Sequence, residues 1–240
     1  MYISIGFCNR LKLLEKKLGQ IEQQEVGIDK QRKHTNDIQN TTYEVETMSK
    51  QAKTLTQQEL RRVLDYTATR KHSVRNRALL MTTHLSGMRV GEVASLRNSD
   101  VLDAEGNIRN EIRLSAEQTK GNEARVVFVS DKLRKELELY THLMRNAYVN
   151  PALKFFYSQK RTSDGFTANT LTQFFHYLYK RAGIDGASSH SGRRTFITNL
   201  ATKGVGVRVL MSLAGHKNIS TTQAYIDVND DMKRKAVELI

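Results

Sequence analysis

Four short stretches of this chain carry side chains suited to holding and moving phosphoryl groups. In Gly87-Met88-Arg89-Val90-Gly91-Glu92 an arginine opens a helix just after a glycine break. Free N–H groups, the positive end of the helix dipole and a forked guanidinium all favour a phosphate there. Glu92, one turn on, can steady that guanidinium. Lys120 sits at an expected turn, either as a solvated lysine or as an ammonium that donates a proton to a leaving group. Ser189-His190-Ser191-Gly192-Arg193-Arg194-Thr195 sets an imidazole and a guanidinium three residues apart, on one helical face. Leu213-Ala214-Gly215-His216 ends a helix at a glycine with a second imidazole beyond it, and Tyr225 follows nine residues later. Each stretch alone is common: such an arginine is usually solvated, a His-x-x-Arg arises by chance, and Tyr225 also suits an ordinary half-buried helix position.

The surrounding pattern supplies the elements that must position these groups. Thr56-Gln57-Gln58-Glu59 is a capping box before Leu60, Val63 and Leu64. Ser73 is expected to cap a helix that ends at Gly87, and another helix runs from Arg89 to Leu96. Ile108, Ile112 and Leu114, then Val126-Val127-Phe128-Val129, alternate as strands do. They predict two or three antiparallel strands with a tight turn near Gly121-Asn122. Ser130 caps a helix with Leu133, Leu137, Tyr140 and Leu143 inward. Leu171, Phe174, Phe175, Leu178 and Tyr179 mark a helix ending at Gly183. Thr195 to Lys203, Val207 to Leu213 and Asp230 to Ile240 predict three more, and Pro151 suits a loop. The fold class is mainly α with a small antiparallel β sheet.

Charge narrows the partner. The chain of 240 residues carries 38 Lys+Arg against 25 Asp+Glu, a net +13. Residues 1–52 are close to neutral, so the excess belongs to residues 53–240. Such a field favours polyanions, chiefly nucleic acid. With 39% hydrophobic and 26% charged residues the chain is neither a membrane protein nor wholly disordered. No apolar run approaches the roughly 18 residues of a membrane span. A single cysteine, Cys8, leaves no disulfide framework or cysteine-rich zinc site and predicts a cytoplasmic protein. Neither a Gly-x-x-x-x-Gly-Lys loop nor a metal-ligand cluster is present in the sequence, so no cofactor and no metal are expected.

The shift in composition divides the chain into residues 1–52 and 53–240. The first part has one periodic stripe, Leu11, Leu14, Leu18, Ile21 and Ile28. It reads either as an amphipathic helix lying on the main domain or as a helix that pairs with another.

In order and type, Arg89, Lys120, His190-x-x-Arg193, Gly215-His216 and Tyr225 span 137 residues. The set strongly resembles the catalytic domain of the tyrosine recombinases, the phage-integrase family. The most specific stretches are Ser86 to Glu92, His190 to Phe196 and Ala214 to Tyr225. The resemblance covers residues 53–240 and implies that family's fold and activity. Tyr225 would attack a DNA phosphodiester and form a 3′-phosphotyrosyl link. Arg89 and Arg193 would hold the non-bridging oxygens, and Lys120 would protonate the leaving 5′-oxygen. His190 would assist proton transfer from the tyrosine, His216 would donate to the phosphate, and Glu92 would support the site. The physics agrees: a phenol ionises near pH 10 in water and gains from nearby cations and a base. The resemblance further implies double-stranded DNA as partner, a homotetramer on DNA and accessory DNA-bending proteins.

Departures from the family pattern accompany it. Ser191-Gly192 precedes the second arginine where a leucine is common, and Gly192 is expected to loosen that helix start. Arg194 stands where histidine is frequent, and Ala214 replaces a leucine. Residues 1–52 read as a short helical extension and linker rather than the family's complete core-binding domain. The expected C-terminal helix, Asp230–Ile240, would pack either on a neighbouring subunit or on its own domain. A second reading is an integrase-derived DNA-binding or accessory protein without autonomous recombination. A third is a relaxase resembling type IB topoisomerases.

Overall fold

A computed structural model describes residues 51–143, 150–158, 165–226, 233–234 and 237–238. The chain divides after Gln51 into two units, and the helices and strands described here belong to the second, Ala52–Ile240. The stripe from Leu11 to Ile28 lies outside the described residues, as do most of the expected helix Asp230–Ile240 and the side chain of Leu143.

The helices are α1 (Gln57–Ala68), α2 (Ser73–Ser86), α3 (Val90–Ser95), α4 (Asn98–Val101), α5 (Asp131–Leu143), α6 (Ala168–Arg181), α7 (Ser191–Thr202), α8 (Val207–Ala214) and α9 (Ile219–Gln223). Strands β1 (Glu111–Leu114) and β2 (Arg125–Phe128) pair antiparallel, with Ile112 opposite Val127. Among the described residues this is the whole sheet, as the fold class anticipates.

Local chemistry explains most boundaries. Thr56 accepts from the Glu59 N–H while Glu59 reaches back to the Thr56 N–H, so α1 opens on the expected capping box. Helix α2 differs from expectation. Its cap is His72 in the left-handed region (φ 60°), and Ser73 already lies inside the first turn. Helix α7 starts at Ser191, four residues before the expected Thr195. The strands are joined not by a tight turn but by residues 115–124. These hold a 3₁₀ turn (Ala116–Gln118) and a left-handed Asn122. A connection of that length carries Lys120 away from the sheet, exposed.

The core gathers Val63 of α1, Leu79 and Leu80 of α2, Val93 of α3, Leu133 and Leu137 of α5, and Leu171 and Phe175 of α6. Tyr140 stacks on Phe156 and donates its hydroxyl to the Phe155 carbonyl at 3.0 Å, which satisfies the polar atom of a buried ring. Helix α2 is the central strut, packing against α5 on one side and α7 on another. It therefore fixes the starts of both α3 and α7, which carry Arg89 and Arg193. Among the described residues no helix is long and apolar enough to cross a membrane.

Candidate active site

Arg89 owes its place to a glycine. Helix α2 ends at Gly87 (φ 63°), where a Cβ would lie 2.5 Å from Cδ1 of Phe196. Only glycine combines that left-handed backbone with that approach. The chain then reverses through buried Met88 and delivers Arg89 to the N-cap of α3. Glu92 receives the Arg89 N–H on Oε2 (2.8 Å) and the Arg89 Nη1 on Oε1 (2.9 Å).

Glu92 is 1% exposed, and a carboxylate so buried must be paired. The second partner is Arg125 of β2, whose Nη2 and Nε lie 2.6 and 3.3 Å from Glu92 Oε2 and Oε1. Burial works to raise the Glu92 carboxyl. The hydrogen bonds and charge of Arg125, with the N–H and charge of Arg89, outweigh it and hold the group below the usual carboxylate range.

Three guanidiniums converge on the C-terminal end of α8. The helix closes at Gly215 (φ 62°) with Gly215 N–H on the Ser212 carbonyl and His216 N–H on the Met211 carbonyl, both 3.0 Å. The next three carbonyls would otherwise be orphans. Leu213 O accepts from Arg125 Nη1 (2.8 Å), Ala214 O from Arg193 Nη2 (2.6 Å) and Gly215 O from Arg89 Nη2 (2.9 Å). Arg193 also donates Nη1 to the Gly87 carbonyl (2.7 Å), tying α7 to the glycine turn that places Arg89. The negative end of the helix dipole offsets part of the mutual repulsion of these cations.

The offset is incomplete. Burial, then the charges of Arg89 and Arg125, push Arg193 well down from the usual guanidinium range, while Glu92 and Tyr225 act the other way. A guanidinium keeps its proton under such stress. The cluster therefore holds three permanent positive charges against one buried carboxylate, and a bound anion would relieve it.

Imidazoles and phenol lie beside this cluster. His216 follows the capped end of α8 directly and is buried. Burial, then the charges of Arg193, Arg89 and Arg125, lower its pKa to about 4, so it is neutral at pH 7. Its ring stacks on Tyr225 with centroids 5.5 Å apart. The Arg194 guanidinium sits 5.4 Å from the Tyr225 ring centre, and Thr198 donates its hydroxyl to the Tyr225 carbonyl at 3.1 Å. His190 is exposed. Crowding by protein, then the charges of Arg193, Lys120 and Arg89, hold its pKa below the ordinary histidine range.

A cavity of about 910 Å³ opens onto the group. Arg89, Lys120, Arg125, Arg208, His216 and Lys217 are among its lining residues, and Glu123 is the acidic residue among them. Lys217 pairs with Glu123 at 2.8 Å across the rim. Of the sequence-predicted residues, Arg89, Lys120 and His216 line the cavity. Arg193 and Glu92 are buried, His190 is exposed and not among the lining residues, and Tyr225 stacks on His216 rather than lining the cavity. So dense a set of cations suits a phosphodiester, and the Tyr225 phenol stacks on the His216 imidazole beside it.

Arg125 is not among the residues that the sequence points to. The strand pattern holds a signal for it, because Arg125 and Val127 share one face and Val127 is buried. Gly192 also differs from expectation. It does not loosen α7 but lets it approach α2, since a Cβ there would lie 2.2 Å from Oγ1 of Thr83.

Comparison with known proteins gives a consistent result. Residues 53–232 match the model of the phage integrase family. Tyrosine recombinase XerA of Pyrococcus horikoshii is 27% identical over 186 residues, covering 78% of this chain and 60% of the relative. The chain thus spans about three fifths of that relative's length. The crystal structure of XerA recombinase superposes with a TM-score of 0.62 at 26% identity, covering 80% of this chain and 66% of the other. The Tn1549 transposon integrase in complex with transposon right end DNA shares the fold, with a TM-score of 0.60 at 19% identity over 80% of this chain and 67% of the other.

Proposed function

This chain belongs to the phage integrase family, and from that premise we propose that it is a site-specific DNA recombinase that cuts and rejoins strands through Tyr225. Residues 53–240 are its catalytic domain and residues 1–52 an extension. The observation that carries the reading is the convergence of Arg89, Arg125 and Arg193 on one helix end, with Tyr225 stacked on His216 beside them.

In this reading the phosphodiester enters the cavity and places its non-bridging oxygens on Arg89 and Arg193. The Tyr225 oxygen attacks phosphorus and gives its proton to His190, whose pKa is held below the ordinary histidine range by burial and then by neighbouring cations. A bond forms between the tyrosine oxygen and phosphorus, the bond from phosphorus to O5′ breaks, and Lys120 supplies the proton that O5′ needs. Strand rejoining is the reverse, with a 5′-hydroxyl as nucleophile. One phosphoester replaces another, so no ATP is consumed. The arginines stabilise charge that grows on the phosphoryl oxygens, where losing one donor typically costs about 10²–10³ in rate. His216 donates to the same oxygens, and Glu92 holds Arg89 in register. Double-stranded DNA is the partner, met by a homotetramer with accessory DNA-bending proteins, in the cytoplasm.

Covalent trapping tests the reading. Nicked duplexes tiled from the DNA flanking the gene are incubated with the chain and run on a denaturing gel. The expected product is a protease-sensitive band of retarded DNA that Tyr225→Phe abolishes. Duplex binding without any such band would favour a DNA-binding protein that lacks strand transfer.

A further inference from the structure

We infer that Thr222 is a positioning residue that fixes the tautomer of His216, so that the imidazole presents an Nε2–H to the anion held by Arg89 and Arg193. The inference rests on the strand-transfer reading above for its consequence, though not for the hydrogen bond itself.

Thr222 lies on α9 and is 0% exposed. Its Oγ1 is 2.9 Å from Nδ1 of His216. Most helical threonines of this chain turn the hydroxyl back onto a carbonyl three or four residues earlier. Thr67 does so to Val63, Thr82 to Ala78 and Thr195 to Ser191. Thr222 departs from that habit. The carbonyl four residues before it, on Asn218, receives the Thr221 N–H instead. Among the described residues the Thr222 hydroxyl meets only the imidazole.

That decides the direction of the bond. A buried hydroxyl that donates to nothing leaves a proton unsatisfied. Giving it to Nδ1 satisfies both atoms and makes Nδ1 an acceptor. The single proton of a neutral imidazole then sits on Nε2. The ring is neutral because burial and three guanidiniums resist its protonation. Nε2 has no hydrogen-bond partner among the described residues, and His216 lines the cavity that Arg89 and Lys120 also line. The opposite tautomer would turn a lone pair toward an anionic oxygen and replace attraction with repulsion. Thr222 also accepts the Tyr225 N–H on its carbonyl at 3.0 Å. The residue that sets the imidazole proton is thus tied to the backbone of the nucleophile.

The test has two readouts on the full chain. The first is the ¹⁵N spectrum of the His216 ring at pH 7 without DNA, its signals identified by their loss in His216→Gln. The expected wild-type pattern is an unprotonated Nδ1 and a protonated Nε2. Thr222→Ser should keep it, and Thr222→Val should show both tautomers. A protonated Nδ1 in the wild type, or a Val variant that retains the Nε2–H form alone, overturns the inference. The second is single-turnover adduct formation on the nicked duplex. Thr222→Val should slow it, by less than the about 10²–10³-fold of losing the donor outright, with duplex affinity within about twofold, and Thr222→Ser should restore the rate. Loss of affinity at an unchanged rate overturns it. If the Val variant fails to fold, the wild-type nitrogen assignment and the Ser variant decide. If the wild type forms no adduct, the strand-transfer reading fails, while the nitrogen spectrum still decides the tautomer.

Discussion

Replacing Arg125 by methionine removes a guanidinium while keeping most of the buried stem. Glu92 loses the hydrogen bonds at 2.6 and 3.3 Å and keeps those from Arg89 at 2.8 and 2.9 Å. Leu213 loses the donor on its carbonyl. Breaking a buried ion pair from one side typically costs 3–5 kcal/mol, and because Arg89 stays the low end applies, about 3 kcal/mol. At this chain length that corresponds to a fall in Tm of about 6–12 °C. The penalty must depend on pH. In the wild type the depressed Glu92 carboxyl adds stability above the unfolded carboxylate range and loses it as pH falls through the folded pKa. In Arg125→Met burial is opposed less strongly, so the folded pKa rises and ionisation costs stability at neutral pH. The difference between the two proteins is therefore largest near pH 7 and shrinks on acidification. Chemical denaturation at pH 7 and pH 4.5 measures it, with Glu92→Gln and the double variant closing a thermodynamic cycle. A penalty below about 1 kcal/mol at pH 7, one independent of pH, or additive single variants would refute the role assigned to this pair.

Three further outcomes rest on the same geometry. His84 is buried with its pKa lowered to about 4, chiefly by burial. The unfolded chain binds a proton there that the folded chain refuses between about pH 6.5 and 4, so folding stability falls across that window by up to roughly 3 kcal/mol. His84→Leu should flatten the denaturation-derived stability profile by one proton there, and an unchanged slope would count against the assignment. Gly192→Ala should lower stability by about 1–3 kcal/mol and displace Arg193, because the added Cβ would lie 2.2 Å from Thr83 Oγ1. Thermal melts check the first effect and single-turnover cleavage the second. Because burial and then neighbouring cations depress His190, the acid limb of the single-turnover cleavage profile should fall below pH 6.5. A limb above 6.5 would mean that another group accepts the proton.

Much of the candidate site can be read from the chain because residue type and order suggest it. An arginine after a glycine break, a His-x-x-Arg at a helix start and a Gly-His turn each announce both a chemistry and a local backbone. Helix positions follow from capping chemistry at Thr56 and from the glycines at 87, 183 and 215. What eluded the sequence is tertiary. Arg125 has no neighbour in sequence that explains it, and its partner Glu92 lies 33 residues away. The early start of α7 depends on Gly192 fitting against α2, a contact that outweighs glycine's poor helix propensity. The long connection between the strands follows from a 3₁₀ turn at Ala116–Gln118, and short apolar runs do not reveal such turns. The bond from Thr222 to His216 spans six residues across a helix end and depends on which way a single hydroxyl points.

The most direct measurement of strand transfer by Tyr225 is the polarity of the covalent link. A nicked duplex that yields an adduct would be labelled separately at the 5′ and 3′ ends of the cleaved strand, and the peptide bearing DNA identified by mass spectrometry. The 5′ label should remain on the protein, the 3′ label should leave on a fragment with a free 5′-hydroxyl, and the modified peptide should contain Tyr225. Retention of the 3′ label, a modified residue other than Tyr225, or an undiminished adduct in Tyr225→Phe would contradict the mechanism.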